Sequence, residues 1–305
     1  VFTCCKINLE NPCNQEYTYS MTNRKVGYIL FATFTSSIGI LLSIVSLCTE
    51  NWIQSKGEFT IGDFSNEQLS EIKYGLFSGT FMQNMGGTKY YTLYATCSLS
   101  TNICAYLCTG TSEGRKAELD RLYRNEQVEF SCPAISRLLN QVHVNLRYAG
   151  IKEQTRTFIN AGLYYSTITS LGISLIFGSI ATILSIWNLI KNIKLKVFGG
   201  RGIMACNFIA FLGSVAVLPL WGTAFGTTII RNLAILYTIQ GQMRTTGWTY
   251  LGFSFWLNLP SCLLFATSIF VMYLREYMST QNPKSEYKVE NEGSARRKLI
   301  IHFNS

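Results

Sequence analysis

The chain has 305 residues, of which 48% are hydrophobic and only 14% are charged, and its formal net charge is +9. This charged fraction lies well below the roughly 25% of soluble domains, which argues against an ordinary soluble globular protein. The positive charge does not indicate nucleic-acid binding, because Lys and Arg lie at the ends of apolar segments and form no basic stripe interleaved with aromatic residues. The chain begins at Val1, so we expect a processed or partial product.

Four uncharged apolar segments predict four transmembrane helices. Each is longer than the roughly 20 residues that cross a hydrocarbon core. The first segment is interpreted as a span and not as a cleaved signal peptide, because its apolar core is too long and three more spans follow it. The predicted spans cover residues 26–48, 157–190, 203–230 and 249–274.

The connections between the spans predict an orientation in the plasma membrane. The connection 191–202 carries four basic residues and no acidic residue, whereas 231–248 carries only two Arg. Short cytoplasmic loops collect Lys and Arg. We therefore expect an integral membrane protein with tails 1–25 and 275–305 and connection 191–202 in the cytosol, and with loops 49–156 and 231–248 outside.

The N-terminal tail contains Cys4, Cys5 and Cys13. On the cytosolic side a disulfide among them is disfavoured. They are candidates for reversible acylation, and free thiols without a role are the alternative.

The long loop 49–156 predicts a small antiparallel sheet of three to five strands. A lone hairpin is marginal in water, so its strand-like runs have to pair with one another. A charged stretch at 112–127 and an amphipathic stretch at 133–151 predict short helices. The four strand-like runs cover residues 58–61, 74–77, 90–94 and 103–107.

The same loop holds Cys97, Cys104, Cys108 and Cys132. An even number of cysteines on the oxidising side of a membrane predicts disulfides. Pairing of Cys97 with Cys104 or with Cys108 would cross-link adjacent strands. Cys132 would then be left to anchor the helical part of the loop. A zinc site is the alternative, and His143 is the only histidine near these cysteines.

The spans carry side chains suited to helix packing or to contact with a partner helix. Asn207 and Asn258 are interpreted as interhelical hydrogen-bonding groups in preference to a transport site. In the second span small side chains recur every four residues, and such a face lets another helix approach closely. This face comprises Ser170, Ser174, Gly178 and Thr182.

The Trp and the Gly-Leu-aromatic motif of the first loop resemble those of the claudin and peripheral myelin protein superfamily. Within it, the Tyr-Gly-Leu-Phe-Ser-Gly segment is most similar to that of clarins. The resemblance implies a mainly α membrane protein, in which a small extracellular antiparallel sheet with short helices sits on a bundle of four transmembrane helices. It also implies that the motif packs where the sheet meets the membrane. The motif residues are Trp52, Tyr74, Gly75, Leu76, Phe77 and Gly79.

The resemblance further implies a non-enzymatic auxiliary or adaptor subunit. Such a subunit binds a channel, a receptor or an adhesion complex through its outer loop and helix faces, and its partners are other integral membrane proteins and the lipid bilayer. A claudin-type junction protein that forms or regulates paracellular contacts is the alternative. A transporter or enzyme is disfavoured because the predicted spans carry no acidic, basic or His residue. No catalytic residue, metal, cofactor or nucleic-acid partner is expected.

Overall fold

A computed structural model describes residues 12–61, 64–83, 88–124, 126, 158–191, 199–231, 243–244, 247, 249–278 and 280. Four helices in it are long and apolar enough to cross a membrane. Their length and composition indicate an integral membrane protein. Together with the separate antiparallel sheet described below, these helices confirm the general prediction of four apolar helices and a sheet. The apolar stretches are Val26–Cys48, Ala161–Ile190, Gly200–Ile229 and Phe253–Met278.

All four long helices start at a different residue from the predicted span. The first is helical from Pro12, where the described residues begin, and so extends beyond the predicted span on its N-terminal side. The last starts only at Phe253, after a short strand that takes up Thr249–Leu251. The helices are α1 (Pro12–Cys48), α2 (Ser112–Tyr123), α3 (Ala161–Lys191), α4 (Gly200–Ala224, followed by a π-helical turn Phe225–Ile229) and α5 (Phe253–Met278).

Among the described residues the sheet has eight strands, all of them paired antiparallel. It exceeds the predicted three to five strands because three short strands from outside loop 49–156 join it. The strands are β1 (Ile53–Ile61), β2 (Phe64–Tyr74), β3 (Ser78–Gln83), β4 (Lys89–Ser98), β5 (Ile103–Leu107), β6 (Ile159–Asn160), β7 (Met243–Arg244) and β8 (Thr249–Leu251). Their order is β6-β5-β4-β3-β2-β1-β7, and β8 also pairs with β1.

One predicted strand, 74–77, is a turn in the structure. Only Tyr74 belongs to a strand, the end of β2, and β3 begins at Ser78. The turn closes with a hydrogen bond of 2.8 Å from Gly75 N to Ser78 O. The run 74–77 is therefore apolar because the turn is buried, although its composition predicts a strand.

The charged helix α2 lies on one face of β5. Thr111 caps its first turn by accepting a hydrogen bond from Gly114 N. Leu119 and Leu122 are buried against the side chains on that face of the strand. The opposite face of β5 faces the main apolar cluster through Cys104 and Tyr106.

The chain forms two compact units. One unit holds the sheet with the adjoining parts of the helices, and we call it the sheet unit (Ile40–Ile176 and Ala210–Cys262). The other holds the remaining helical parts, and Ile29, Ala32 and Ile203 are buried in its apolar cluster.

Candidate functional site: the Trp52 junction

Trp52 lies where α1 ends and the sheet begins, and it is fully buried. Its backbone N donates to Tyr74 O at 2.8 Å, and its backbone O accepts from Gly252 N at 2.9 Å. Its indole Nε1 donates to Ser46 O at 2.6 Å. The last carbonyls of a helix have no partner within the helix. The indole therefore caps the last turn of α1 while the backbone starts the sheet.

The ring of Trp52 also joins two further helices. Its centroid lies 5.4 Å from that of Trp221 on α4 and 6.2 Å from that of Phe255 on α5, both in edge-to-face geometry. Aromatic pairs in this arrangement contribute about 0.5–1.5 kcal/mol beyond the apolar area that they bury. We call Trp52, its ring partners and the turn between β2 and β3 the Trp52 junction.

The turn of the junction, Tyr74 to Phe77, has every backbone carbonyl hydrogen-bonded. Two of the donors are tyrosine hydroxyls that reach the turn from β5 and from the first turn of α3. Buried carbonyls need such partners, because the turn leaves them outside the strand pairing. The pairs are Trp52 N with Tyr74 O, Tyr106 Oη with Gly75 O (2.6 Å), Tyr164 Oη with Leu76 O, and Ala95 N with Phe77 O (2.9 Å).

Glycine is required at two points of the junction because backbones approach closely. A Cβ at Gly75 would lie 2.8 Å from Thr49 O, and a Cβ at Gly252 would lie 2.0 Å from Asn51 O. The sequence motif includes Gly75 but gives no indication of Gly252. The close contact of Gly252 arises from the pairing of β8 with β1, which no local pattern indicates.

Two tyrosines of the junction stack with ring centroids 4.4 Å apart, Tyr74 and Tyr106. Burial raises the pKa of Tyr74 well above its ordinary value, and the neighbouring Tyr106 adds to this. Burial likewise raises the pKa of Tyr106, with a further contribution from Tyr164. Both phenols therefore stay neutral at physiological pH.

Two other motif residues differ in their surroundings. Leu76 is fully buried, whereas the Phe77 side chain is 51% exposed. Gly79 lies in β3 opposite Tyr74. Beside the turn, the Glu50 carboxylate accepts hydrogen bonds from Ser78 Oγ at 2.5 Å and from Thr80 Oγ1 at 2.6 Å, which ties the end of α1 to β3.

The predicted disulfide cysteines lie partly within and partly outside the described residues. Cys97 and Cys104 are joined by a disulfide and lie directly opposite each other in β4 and β5. Cys108 is also disulfide-bonded, and Cys132 lies outside the described residues. Of the acylation candidates, Cys4 and Cys5 lie outside them as well, and Cys13 lies in the first turn of α1.

Within the sheet unit, α3 meets α4 through the predicted small residues. A Cβ on Gly213 of α4 would lie 2.8 Å from Ser170 O and 3.1 Å from Ser174 N, so the two backbones are in close contact there. Gly178 is buried and Thr182 is half-buried, and both belong to the other unit.

The two asparagines lie in polar clusters, one in each unit. Asn207 Oδ1 accepts from Ser36 Oγ at 2.7 Å, and the Asn207 amide donates to Ile203 O. In the sheet unit, Asn258 Nδ2 donates to Ser46 Oγ and to Phe255 O, both at 3.0 Å.

Pairs of serines also connect α1 and α5. Ser43 Oγ and Ser261 Oγ lie 2.8 Å apart in the sheet unit. Ser36 Oγ and Ser268 Oγ lie 2.9 Å apart in the other. On each helix these serines are seven residues apart. That spacing keeps one side of a helix against its neighbour in left-handed packing.

The fold and the junction define an integral membrane protein with four apolar helices and an antiparallel sheet seated on a buried aromatic junction. Among the described residues there is no group of three or more His, Cys, Asp or Glu side chains that could hold a metal ion. Comparison with protein-family models and with curated proteins found no match to this chain.

Proposed function

We propose that this chain is a non-enzymatic tetraspan protein, similar to clarins and other claudin-like proteins, that serves as an auxiliary or adaptor subunit of a partner membrane protein. The partner is a channel, a receptor or an adhesion complex, and it binds on the sheet. An auxiliary subunit acts by binding one conformation of its partner more tightly than another. The observation that carries this proposal is one face of the sheet, on which the side chains of Tyr90 and Tyr250 are exposed.

Alternation along the strands defines that face. Its opposite side is buried through residues such as Ile53, Ile72 and Leu93. Directly paired side chains share one face of an antiparallel sheet. The pairing Tyr250–Gln54–Lys73–Thr80–Thr92 therefore forms one row across four strands and β8, and Lys56–Glu71–Met82–Tyr90 forms the next. We call these two rows the open sheet face.

The side chains of the open sheet face suit protein recognition. Tyr90 is 68% exposed and Tyr250 is 50% exposed. Interfaces are enriched in tyrosine, and tyrosine loses few rotamers on binding. Arg115 of α2 lies 4.7 Å above the Tyr94 ring and marks the edge at which α2 covers the rest of the sheet. The described charges of the face are Lys56, Lys73 and Glu71, and an exposed ion pair of 3.7 Å joins the last two.

The proposal includes the orientation of the protein in the membrane. We place the sheet outside the cell and both termini in the cytosol, in the plasma membrane. The disulfide between Cys97 and Cys104 supports this placement, because disulfides persist on the oxidising side of a membrane. The basic connection after the second span supports it as well.

A role without chemistry is supported by the interior of the spans. The amides and hydroxyls described above bond to one another and to backbone carbonyls, as expected of groups that hold helices together. The charged residues that the structure describes within the spans, Arg201, Arg275 and Glu276, lie at their ends. Transport and catalysis usually need ionisable groups deeper in the spans.

Site-specific photo-crosslinking in native membranes tests the proposal. A benzophenone side chain replaces Tyr90 or Tyr250, and the control position is Tyr123, which is 53% exposed at the end of α2. We expect the first two positions to give one adduct with the same membrane protein and the control to give none. Equal adducts from the control, or none from the open sheet face, would contradict the proposal. Adducts with a second copy on a neighbouring cell would favour a junction protein.

A further inference from the structure

Three polar side-chain atoms in the helical part of the sheet unit have no hydrogen-bond partner among the described residues. They are Asn258 Oδ1, Trp221 Nε1 and Ser174 Oγ, and all three residues are 0% exposed. Buried amide, indole and hydroxyl groups are almost always hydrogen-bonded, because leaving them unpaired in an apolar interior is costly. The three atoms on the helices of this unit therefore need partners that the described side chains do not supply.

The orientation of the Asn258 amide is fixed by its surroundings. Its Nδ2 lies 3.0 Å from Phe255 O and 3.3 Å from Ser254 O, and both of these atoms are acceptors. Exchanging the amide nitrogen and oxygen would place an acceptor against two carbonyls. Oδ1 is therefore the unpaired atom, and it needs a donor.

The three atoms are linked through shared neighbours. Asn258 Nδ2 donates to Ser46 Oγ, Ser46 O accepts from the Trp52 indole, and the Trp52 ring packs on Trp221. On the other side, Ser214 Oγ lies 3.5 Å from Asn258 O. The preceding residue of α4, Gly213, abuts Ser174. Helices α1, α3, α4 and α5 thus each contribute a buried polar residue to this chain of contacts beside the Trp52 junction, namely Ser46, Ser174, Ser214 and Asn258.

The chemistry of the unpaired atoms selects the ligand. Asn258 Oδ1 needs a donor, Trp221 Nε1 needs an acceptor, and Ser174 Oγ accepts either. A metal cation does not fit, because the indole N–H repels it and the described residues of this region carry no carboxylate. Water is small, neutral, and both donor and acceptor, and buried waters typically bond to about three otherwise unsatisfied groups.

We infer that Asn258, Trp221 and Ser174 form an internal hydration site that holds ordered water between the helices. The water donates to Asn258 Oδ1 and accepts from Trp221 Nε1. Because Asn258 also bonds to Ser46, which accepts from Trp52, the site is connected by hydrogen bonds to the junction that carries the sheet. In the other unit the corresponding amide oxygen, Asn207 Oδ1, already accepts from Ser36; the buried atoms Thr182 Oγ1 and Arg275 Nε have no partner there among the described residues.

Water-to-indole magnetisation transfer in nanodiscs tests this inference directly. The chain has five Trp residues, so the indole N–H signals of ¹⁵N-labelled protein can be assigned by single substitution. We expect a cross-peak between water and the Trp221 indole proton and none for Trp52, whose N–H bonds to Ser46 O. The Asn258→Leu variant should weaken the Trp221 cross-peak, and the control variant Asn207→Leu should leave it unchanged. Absence of the Trp221 cross-peak in the wild-type protein would overturn the inference.

Discussion

Gly252 is the position at which a single added methyl group should disturb the junction most. An alanine Cβ there would lie 2.0 Å from Asn51 O, although real Cβ contacts stay above 3.0 Å, so the two backbones would have to separate by about 1 Å. Two hydrogen bonds hold them together, Gly252 N to Trp52 O and Ser254 N to Asn51 O. Their loss costs about 1–3 kcal/mol. Displacing Trp52 also loses part of its packing energy, and complete deletion of a buried Trp side chain costs roughly 3–5 kcal/mol.

We therefore expect Gly252→Ala to lower the free energy of unfolding by about 3 kcal/mol and Tm by roughly 6–12 °C. Thermal unfolding in a fixed detergent, followed by tryptophan fluorescence, measures this. The matched control is Gly222→Ala on α4, where a Cβ meets no atom within 4 Å. Its Tm should stay the same or rise slightly, because alanine favours a helix more than glycine does. A Gly252→Ala protein that melts with the wild type would refute the close contact between β8 and the end of α1.

Three further predictions concern the same unit. Tyr106→Phe removes the donor to Gly75 O and should cost about 1–3 kcal/mol, whereas Tyr74→Phe removes a hydroxyl without a partner among the described residues and should leave Tm unchanged or raise it. Because burial raises the pKa of Tyr74 and Tyr106, their contribution to stability should be complete below about pH 10 and be lost as the pH rises further towards their folded values. Tm measured between pH 9 and 12 checks this, and a fall equally steep in the Tyr74→Phe, Tyr106→Phe double variant would contradict it. Replacing Cys97 and Cys104 together by Ser should cost about 2–3 kcal/mol, since their disulfide closes a short loop; an unchanged Tm would show that strand pairing alone fixes this hairpin.

The sequence predicted the four long apolar helices and α2 because their signal is local, and the predicted helix at 133–151 lies outside the described residues. An uncharged apolar run longer than a bilayer needs is rare outside membrane spans, and the end of α1 at Cys48 coincides with the predicted end of the first span. The runs 58–61, 90–94 and 103–107 were predicted as strands for the same reason and lie in β1, β4 and β5, whereas β2 and β3 were not predicted. What these patterns fix is the type of an element and its approximate position.

Contacts between residues far apart in the sequence could not be predicted in the same way. Tyr106 and Tyr164 reach the Tyr74–Phe77 turn from 31 and 88 residues away, and their hydroxyls replace strand hydrogen bonds there. The turn was predicted as a strand because a buried turn and a buried strand are equally apolar. Gly252 was missed because its requirement comes from Asn51, which lies in another element. In contrast, the seven-residue spacing of serines in α1 and α5 was present in the sequence and would have predicted their contact.

The sequence motif behind the resemblance has a structural role, which is to join the end of a helix to the start of a sheet. This structural role is separate from the function of the protein. A membrane helix that ends and at once begins a strand leaves its last carbonyls unpaired. Here Trp52 caps one of them, and Gly75 lets the next turn pass close by. Other proteins with the same construction can share these residues without sharing a partner. Variants of the junction should therefore lower stability and binding together, whereas Tyr90→Ala on the open sheet face should weaken partner binding at unchanged Tm. A Tyr90→Ala protein that melts earlier yet still binds its partner would show that this face serves the fold, and the search for the partner site would then move to the exposed helix faces.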